Sequence, residues 1–524
     1  MKISYIVPVH KTEKTLEKCL DSLLDQDYKD AEIIVVLDGK SKVAEKICAK
    51  KKVKVIEQKN AGAPAARNRG AKEATGDILW FFDSDSYLRP GMARLFVEEF
   101  EKQPDMAFGY GNYIVKGANV PLEARDFDPY VLRSQNYIST MSPIRKADFM
   151  GWDENCKSLQ DWEMFLRMSN AGKKGFFLHR NVFETEPPQK DGISLDSHNN
   201  WLDRIDYIQK KNGIKASDTA VCSLGAPQHA LNTAKILKAD YHAYPSHKPH
   251  RWKKIILLGF YTNGGERGIA AHFGVFKNAP KNCKKIIYWI GTDIVYMYKM
   301  MNAEMLFGFN GNPGFAKTLE EDGYQHVCET PNTQKELAVL GIKAKVIPLP
   351  PKEIYDITPL PKKFSVGVYV NPTQNVYYEK EMFEIARSMP DINFRFYGGA
   401  EMDSGNKAEN VEWMGYVKDM DKFIDETACV LRMTAHDGLP IAPVEFVLKG
   451  RQAIISLGDG SLHADLPHMI QIPRIVWDKR KDKLVKAIRF AKKRFDKGYI
   501  NREGHDYYAK LMDHNKFNTS INAL

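Results

Sequence analysis

Residues 78–85 read Ile-Leu-Trp-Phe-Phe-Asp-Ser-Asp. An unbroken apolar run of this length marks a strand buried on both faces, as in a parallel sheet covered by helices. The run ends directly in two carboxylates, Asp83 and Asp85. In open parallel sheets ligands gather beyond the carboxyl ends of the strands. The octapeptide therefore predicts an α/β domain whose binding site begins at Asp83. Two hard oxygen donors so placed can share a divalent cation with a diphosphate. An Asp-x-Asp in a turn also serves simply to accept backbone hydrogen bonds, so the octapeptide alone leaves both readings open.

The surrounding sequence repeats the pattern. Ile3–Val9 predicts a first strand, and Thr12–Asp25 a helix with Leu16, Cys19, Leu20, Leu23 and Leu24 at helical spacing. Glu32–Leu37 predicts a second strand closing on Asp38-Gly39, Val53–Glu57 a third, and Ala63–Ala74 a small-residue helix. This alternation predicts a mainly parallel sheet with helices on both faces. Pro8, Asp38 and Asp83 all fall at its carboxyl edge.

Pro187-Pro188 and the polar stretch to Asn200 read as a connection, and Trp201–Lys211 as a helix leading out. Further strands are expected at Thr219–Leu224, Lys254–Phe260 and Lys285–Ile290. Pro348, Pro350, Pro351, Pro359 and Pro361 punctuate a linker. Phe364–Val370, Asn393–Tyr397, Val411–Trp413 and Ala428–Met433 follow as strands, with helices at Glu379–Arg387 and Pro443–Lys449 and a basic helical tail from Lys479. The expected organisation is a first domain over 1–200, a helical linker over 201–217, and Rossmann-like subdomains over 218–355 and 356–524.

A chain of 524 residues exceeds one hydrophobic core. Its 43% hydrophobic and 27% charged residues fit a folded, not a disordered, chain. No apolar run reaches the ~18 residues of a membrane span, and Met1–His10 lacks the long apolar region of a leader. These features point to a cytoplasmic protein without a transmembrane segment, with peripheral docking at a membrane left open. The seven cysteines form no CxxC pair and read as reduced thiols. A net charge of +10 favours an anionic partner, whether a phosphate-bearing substrate, a membrane surface or a nucleic acid. The basic residues look dispersed, without a clear stripe.

Val7-Pro8-Val9, Asp38-Gly39, Asn60-Ala61-Gly62, Ala66-Arg67-Asn68-Arg69-Gly70 and Asp83-Ser84-Asp85, in that order, resemble glycosyltransferase family 2 over roughly residues 1–195. The resemblance implies a GT-A fold and metal-dependent, inverting transfer of a sugar from a nucleoside diphosphate. The implied acceptor is a hydroxyl on a polysaccharide or lipid-linked glycan. Pro8, Val9, Asp38, Asn60, Gly62, Arg67, Asp83 and Lys190 would then meet the nucleotide sugar, a UDP-sugar foremost. Asp83 and Asp85 would ligate Mn²⁺ or Mg²⁺, with His179 as a third ligand. Leu37 departs from the family, which has an Asp there.

Gly151-Trp152-Asp153-Glu154 and Gln160-Asp161 resemble the family's Gly-Gly-Phe-Asp-Glu and Glu-Asp stretches, with Gln160 in place of Glu. Asp161 would be the catalytic base; without the resemblance it reads as a helix N-cap. Trp152 and Trp162 fit either an acceptor platform or the core. Arg67 and Asn68 fit either ligand binding or pinning of their helix.

Residues 218–515 resemble, more faintly, a GT-B enzyme of glycosyltransferase family 4, two Rossmann-like subdomains in one arrangement. Gly264 and Gly265 match its glycine-rich loop, and Asp437 and Glu445 its paired acids at the donor. The family's Arg and Lys after the strand at Phe364–Val370 are replaced here by Asn371-Pro372-Thr373-Gln374-Asn375. The second module is thus either a transferase with an altered donor site or a degenerate domain holding acceptor or partner. Glycosylation of hydroxylated bases in DNA and a non-catalytic glycan-binding scaffold stand as alternatives. A nucleotidyltransferase would want a glycine-rich loop where Pro8-Val9-His10-Lys11-Thr12 stands.

Overall fold

The structure is a computed structural model and describes residues 1–117, 124–187, 200–223, 226–242, 252–259, 280–291, 323–370, 378–399, 408–417, 419–434, 439–456, 466–472 and 477–524. The chain forms two compact units, one running from Met1 to Ala216 and the other comprising nearly all the rest.

The first unit holds strands β1 (Ile3–Val9), β2 (Ala31–Asp38), β3 (Lys54–Gln58), β4 (Ile78–Phe81), β5 (Ser86–Leu88), β6 (Met106–Val115), β7 (Ile144–Arg145) and β8 (Lys174–Thr185). Its helices are α1 (Glu13–Leu24), α2 (Lys42–Lys51), α3 (Ala63–Glu73), α4 (Met92–Lys102), α5 (Pro129–Leu132), α6 (Gln160–Asn170) and α7 (Trp201–Lys211). The sheet order is β3-β2-β1-β4-β7-β6-β8-β5. The first four strands pair in parallel, with Ile6 beside both Ile34 and Phe81. Beyond β4 the sheet is mixed, because β7 pairs antiparallel to both of its neighbours and β5 antiparallel to β8.

Every residue of β1 is buried. Alternate side chains feed opposite faces: Ile3, Tyr5, Val7 and Val9 join the core under α1 and α4, and Ile6 the core under α3 and α6. Helix α3 is rich in small residues because it lies tight on the sheet. A Cβ added at Gly70 would stand 2.4 Å from Ile6 Cγ2. Helix α7 packs back on this unit. Ile208 is buried in its core, and Lys211 Nζ lies 2.5 Å from Asp153 Oδ2 and 3.1 Å from Glu163 Oε1.

The second unit contains two six-stranded sheets, both parallel throughout. The first comprises β9 (Thr219–Cys222), β10 (Asp240–His242), β11 (Lys254–Leu258), β12 (Lys284–Trp289), β13 (Tyr324–Cys328) and β14 (Ala344–Val346), in the order β10-β9-β11-β12-β13-β14. The second comprises β15 (Ser365–Tyr369), β16 (Asn393–Tyr397), β17 (Val411–Gly415), β18 (Cys429–Arg432), β19 (Gln452–Ser456) and β20 (Ile470–Ile472), in the order β17-β16-β15-β18-β19-β20.

The proline-punctuated segment between them is anchored, not slack. The fully buried Arg451 donates to the carbonyls of Thr358 and Pro359 at 2.9 and 2.7 Å and to Thr358 Oγ1 at 2.8 Å. The helix His514–Asn522 returns the chain to the first of these sheets, where the buried Lys254 Nζ donates to the Ile521 carbonyl at 2.8 Å. No helix among the described residues is long and apolar enough to cross a membrane.

Strand β6 runs beside β8 with glycines facing large side chains. A Cβ at Gly111 would meet Val182 Cγ2 at 2.4 Å and the carbonyl oxygens of Leu178 and Arg180 at 2.9 Å. Two of these neighbours are backbone atoms and cannot swing aside. Gly111→Ala should therefore destabilise the first unit by about 1–3 kcal/mol, read as a lower midpoint of its thermal transition; an unchanged midpoint would show that β6 and β8 can separate.

Candidate active site

The carboxyl ends of β1, β2 and β4 bring the expected residues together. At the end of β2, Asp38 is buried and its carboxylate is fully engaged. Oδ1 accepts from Gln58 Nε2 at 2.9 Å and from the Ala61 amide at 2.8 Å, and Oδ2 accepts from the Gly62 amide at 2.9 Å. Asp38 thus fixes the Asn60-Ala61-Gly62 loop that leads into α3. Asn60 lies against the exposed ring of His10 at 3.3 Å, and His10 Nδ1 meets the Asp38 carbonyl at 2.8 Å. Pro8 and Val9 close β1 as buried residues. Leu37, where the resembling family has an acid, is wholly buried in the core.

Asp83 and Asp85 follow β4 in the turn to β5. Ser84 between them faces the other way, with its Oγ 2.6 Å from Thr12 Oγ1, and the Ser86 amide donates to the Asp83 carbonyl at 3.0 Å. The turn is therefore clamped from α1 and from β5, with both acids only partly buried. Asp83 Oδ1 receives the Arg67 guanidinium at 2.7 Å. Among the described residues Asp85 has no cationic partner. Burial, with the charge of Asp83 next, pushes its carboxyl up to about 6. Glu186 adds a smaller push; its own carboxylate is held by Tyr87 Oη at 2.8 Å and Lys116 Nζ at 2.9 Å.

Arg67, on α3, is buried and bridges two motifs. One nitrogen reaches Asp83 and the other donates to Gln160 Oε1 at 2.8 Å, with the guanidinium stacked 4.9 Å from the centre of the Trp152 ring. Asn68, next along α3, donates to the Trp152 carbonyl and to Glu154 Oε1, each at 2.9 Å, and accepts from the Trp152 amide at 2.8 Å. The Ala-Arg-Asn run thus ties the Asp-Ser-Asp turn and the Gly-Trp-Asp-Glu loop to one helix. This is the pinning reading of both residues.

Asp161 sits in the first turn of α6 and is not its cap. The cap is Leu159, held at φ 56 with no side-chain bond. For a branched side chain that conformation is uncommon and marks a position the surroundings over-determine. After that turn Gln160 meets Arg67, and Asp161 lies within electrostatic reach of Arg67 and Asp83. Burial raises the Asp161 carboxyl above the usual carboxylate range. The Trp162 amide at 2.8 Å, Asn136 and the charge of Arg67 pull it back, and Asp83 adds a push. Asn136 carried no signal in the sequence; its loop position is set by tertiary structure alone.

Trp152 and Trp162 are both buried in the core. Trp162 Nε1 donates to the Leu132 carbonyl at 2.6 Å, and Trp152 packs edge-on to Phe81. The acceptor-platform reading does not hold for either ring. His179 is exposed, lies tilted against the Phe177 ring and pairs with Asp126 at 3.2 Å. No group of three His, Cys, Asp or Glu residues able to hold a metal occurs among the described residues, so His179 is not brought to the acid pair. Lys190, Gly264, Gly265 and Asp437 lie outside the described residues. Glu445 lies in the helix Ile441–Leu448, and burial pushes its carboxyl up to about 7.

The model described as Glycosyl transferase family 2 matches residues 4–147. The first unit carries a glycosyltransferase family 2 domain. Among curated relatives of the chain, glycosyltransferase GlyA of Streptococcus pneumoniae serotype 4 is 40% identical over 114 residues, 21% of this chain and 16% of that one. EpsJ of Bacillus subtilis, an uncharacterised glycosyltransferase, is 38% identical over 116 residues, 21% of this chain and 34% of its own. Chondroitin synthase of Escherichia coli is 25% identical over 242 residues, 43% of this chain and 34% of its own. The chain thus spans about a third or less of these relatives. Staphylococcus aureus TarS 1-349, solved with UDP, aligns at 22% identity over 36% of this chain and 61% of that one, with a TM-score of 0.33.

The raised Asp85 carboxyl makes a pH prediction. Its folded value lies above its ordinary one, so ionising it works against the fold, and the cost is present above about pH 6 and gone below about pH 4. In chelator-treated protein at pH 7.5, Asp85→Asn should raise the midpoint of the first unit's thermal transition by an amount worth about 1–3 kcal/mol. At pH 4 wild type and variant should melt together. Equal midpoints at both pH values would mean that Asp85 is not strained in the absence of a cation.

Proposed function

We infer that the first unit transfers a sugar from a nucleoside-diphosphate donor to a hydroxyl acceptor, with inversion. The observation that carries this reading is the Arg67 bridge, which joins Asp83 to the α6 turn that presents Asp161. A metal–diphosphate site and a base have to face each other across the reacting carbon, and these are the two motifs so joined.

Asp83 and Asp85 would hold Mn²⁺ or Mg²⁺. They are hard oxygen donors, and Asp85 lacks any other positive partner among the described residues. A bound cation would stabilise charge on the departing diphosphate. Pro8, Val9, Gly62 and the His10–Asn60 pair would border the nucleoside, with Asp38 holding the loop they depend on. Asp161 would take the acceptor's proton as its oxygen attacks the anomeric carbon. A carboxyl raised by burial is a stronger base once ionised, and the Trp162 amide, Asn136 and Arg67 each favour the ionised form against that burial. One base opposite the leaving group gives a single displacement and so inversion.

The acceptor we favour is a polysaccharide or lipid-linked glycan. The chondroitin synthase relative supports a glycan over a nucleobase, and the set of Asp83, Asp85 and Asp161 supports catalysis over a glycan-binding scaffold. A UDP-sugar is the first donor to try. The second unit would assist or add a further sugar, as a GT-B-like pair of Rossmann-like sheets with Glu445 at its donor side. Its two parallel sheets and the returning terminal helix support that arrangement.

Nucleoside diphosphate release from a panel of nucleotide sugars, with and without Mn²⁺, tests the reading. Release should depend on metal, vanish in Asp85→Ala and persist in Glu445→Ala. Asp161→Asn should lose about 10²–10⁴-fold in transfer rate while nucleotide binding by calorimetry stays within a few-fold. Turnover that survives Asp85→Ala and falls in Glu445→Ala would move the chemistry to the second unit.

A further inference from the structure

The helix Trp477–Asp496 carries most of its charge in one sign. From Trp477 to Lys497 there are ten Lys and Arg against three Asp, a net +7. Its inner face is fixed: Leu484, Ala487, Ile488 and Ala491 are buried against the second sheet of the second unit. The outer face is ordered as well. Lys483, Lys486, Phe490, Lys493 and Lys497 follow at spacings of three and four, which places them in one line along a helix. All five are exposed, and none of the four lysines forms an ion pair among the described residues. The basic residues are thus not simply dispersed.

The acids nearby are mostly committed elsewhere. Asp391 pairs with Arg489, and Asp496 with Lys492 at 2.7 Å. Asp482 is exposed beside the line and forms no ion pair with its lysines among the described residues. The patch extends past the helix end. Phe495 meets Phe364 with ring centres 5.5 Å apart, and Phe364 is preceded by the exposed Lys362 and Lys363.

Phe490, in the middle of the line, is 51% exposed. Its ring is held outward by Arg494, whose guanidinium lies 5.2 Å from the Phe490 ring and 3.6 Å from the Tyr499 ring. A rigid aromatic ring ringed by unpaired lysines matches an anionic bilayer: lysines meet headgroup charge and the ring enters the interface. A duplex phosphate backbone would use the lysines and leave the ring unexplained.

We propose that this face docks the second unit on an anionic lipid surface, with Lys483, Lys486, Lys493 and Lys497 reading the charge and Phe490 entering the headgroup layer. Because the helix's apolar face is already buried in the protein, attachment is peripheral, reversible and salt-sensitive. The proposal is independent of the transfer reaction and of which unit performs it.

Sedimentation of the full chain with vesicles tests it. Binding should occur with phosphatidylcholine mixed with phosphatidylglycerol, be absent with phosphatidylcholine alone, and weaken strongly in high salt. Each lysine near such a surface contributes about fivefold in affinity. The double variant Lys486→Glu/Lys493→Glu should therefore lose at least about 25-fold, with an unchanged thermal profile. Phe490→Ser should lose several-fold, and that loss should persist at high salt. Equal binding to neutral and anionic vesicles, or full binding by the double variant, would overturn the proposal. So would selective binding of a single-stranded oligonucleotide over anionic vesicles that the double variant loses, which would assign the face to nucleic acid.

Discussion

The buried guanidinium of Arg67 is the contact on which the rest of the first unit's site depends. It spans from the acid pair after β4 to the first turn of α6, two segments well separated in sequence. A buried charge of this kind is costly unless paired, and Asp83 supplies the pair. Gln160, being neutral, accepts a hydrogen bond without dividing the charge further. In the resembling family a carboxylate stands at that position. Here the positive charge is left to Asp83 and, through space, to Asp161. The consequence is an asymmetric set of acids: Asp83 neutralised from within the protein, Asp85 without a counter-charge among the described residues, and Asp161 poised between burial and Arg67.

Much of this was legible in the sequence, for a physical reason. Strands buried on both faces read as nearly continuous apolar runs, and β1, β2 and β4 do, Ser4, Glu32 and the closing Asp38 apart; helix α1 must be amphipathic, and it is. The far half of the first sheet was not legible. Strand β6 contains Gly109 and Gly111, which argue against a strand by propensity. They are required because Phe176 and Val182 of β8 occupy the space that side chains would fill. That requirement exists only once β8 lies beside β6. In the site, the acids were readable from order and spacing, but their partners were not. Asp38 as a loop anchor, Asn136 on Asp161 and the packing of both tryptophans depend on contacts between distant segments.

The second unit shows the same division. The strands of its second sheet that are apolar were placed to within a residue or two, and β16 to the residue. Strands β13 and β19 carry buried polar residues, His326 and Gln452 among them, which leave β19 an apolar run of only three residues and β13 one of two. The proline-rich segment reads as a linker because proline punctuates, yet Arg451 makes it part of the packed structure.

The claim that the two motifs form one working site is tested most directly by a double-mutant cycle on kcat/KM. The cycle would combine Arg67→Met and Asp161→Asn and use whichever donor turns over. If Arg67 acts by holding the acid pair and the α6 turn in one arrangement, the losses should be strongly sub-additive, with the double variant little worse than the worse single one. Losses that simply multiply would contradict the account and leave Arg67 and Asp161 with separate roles.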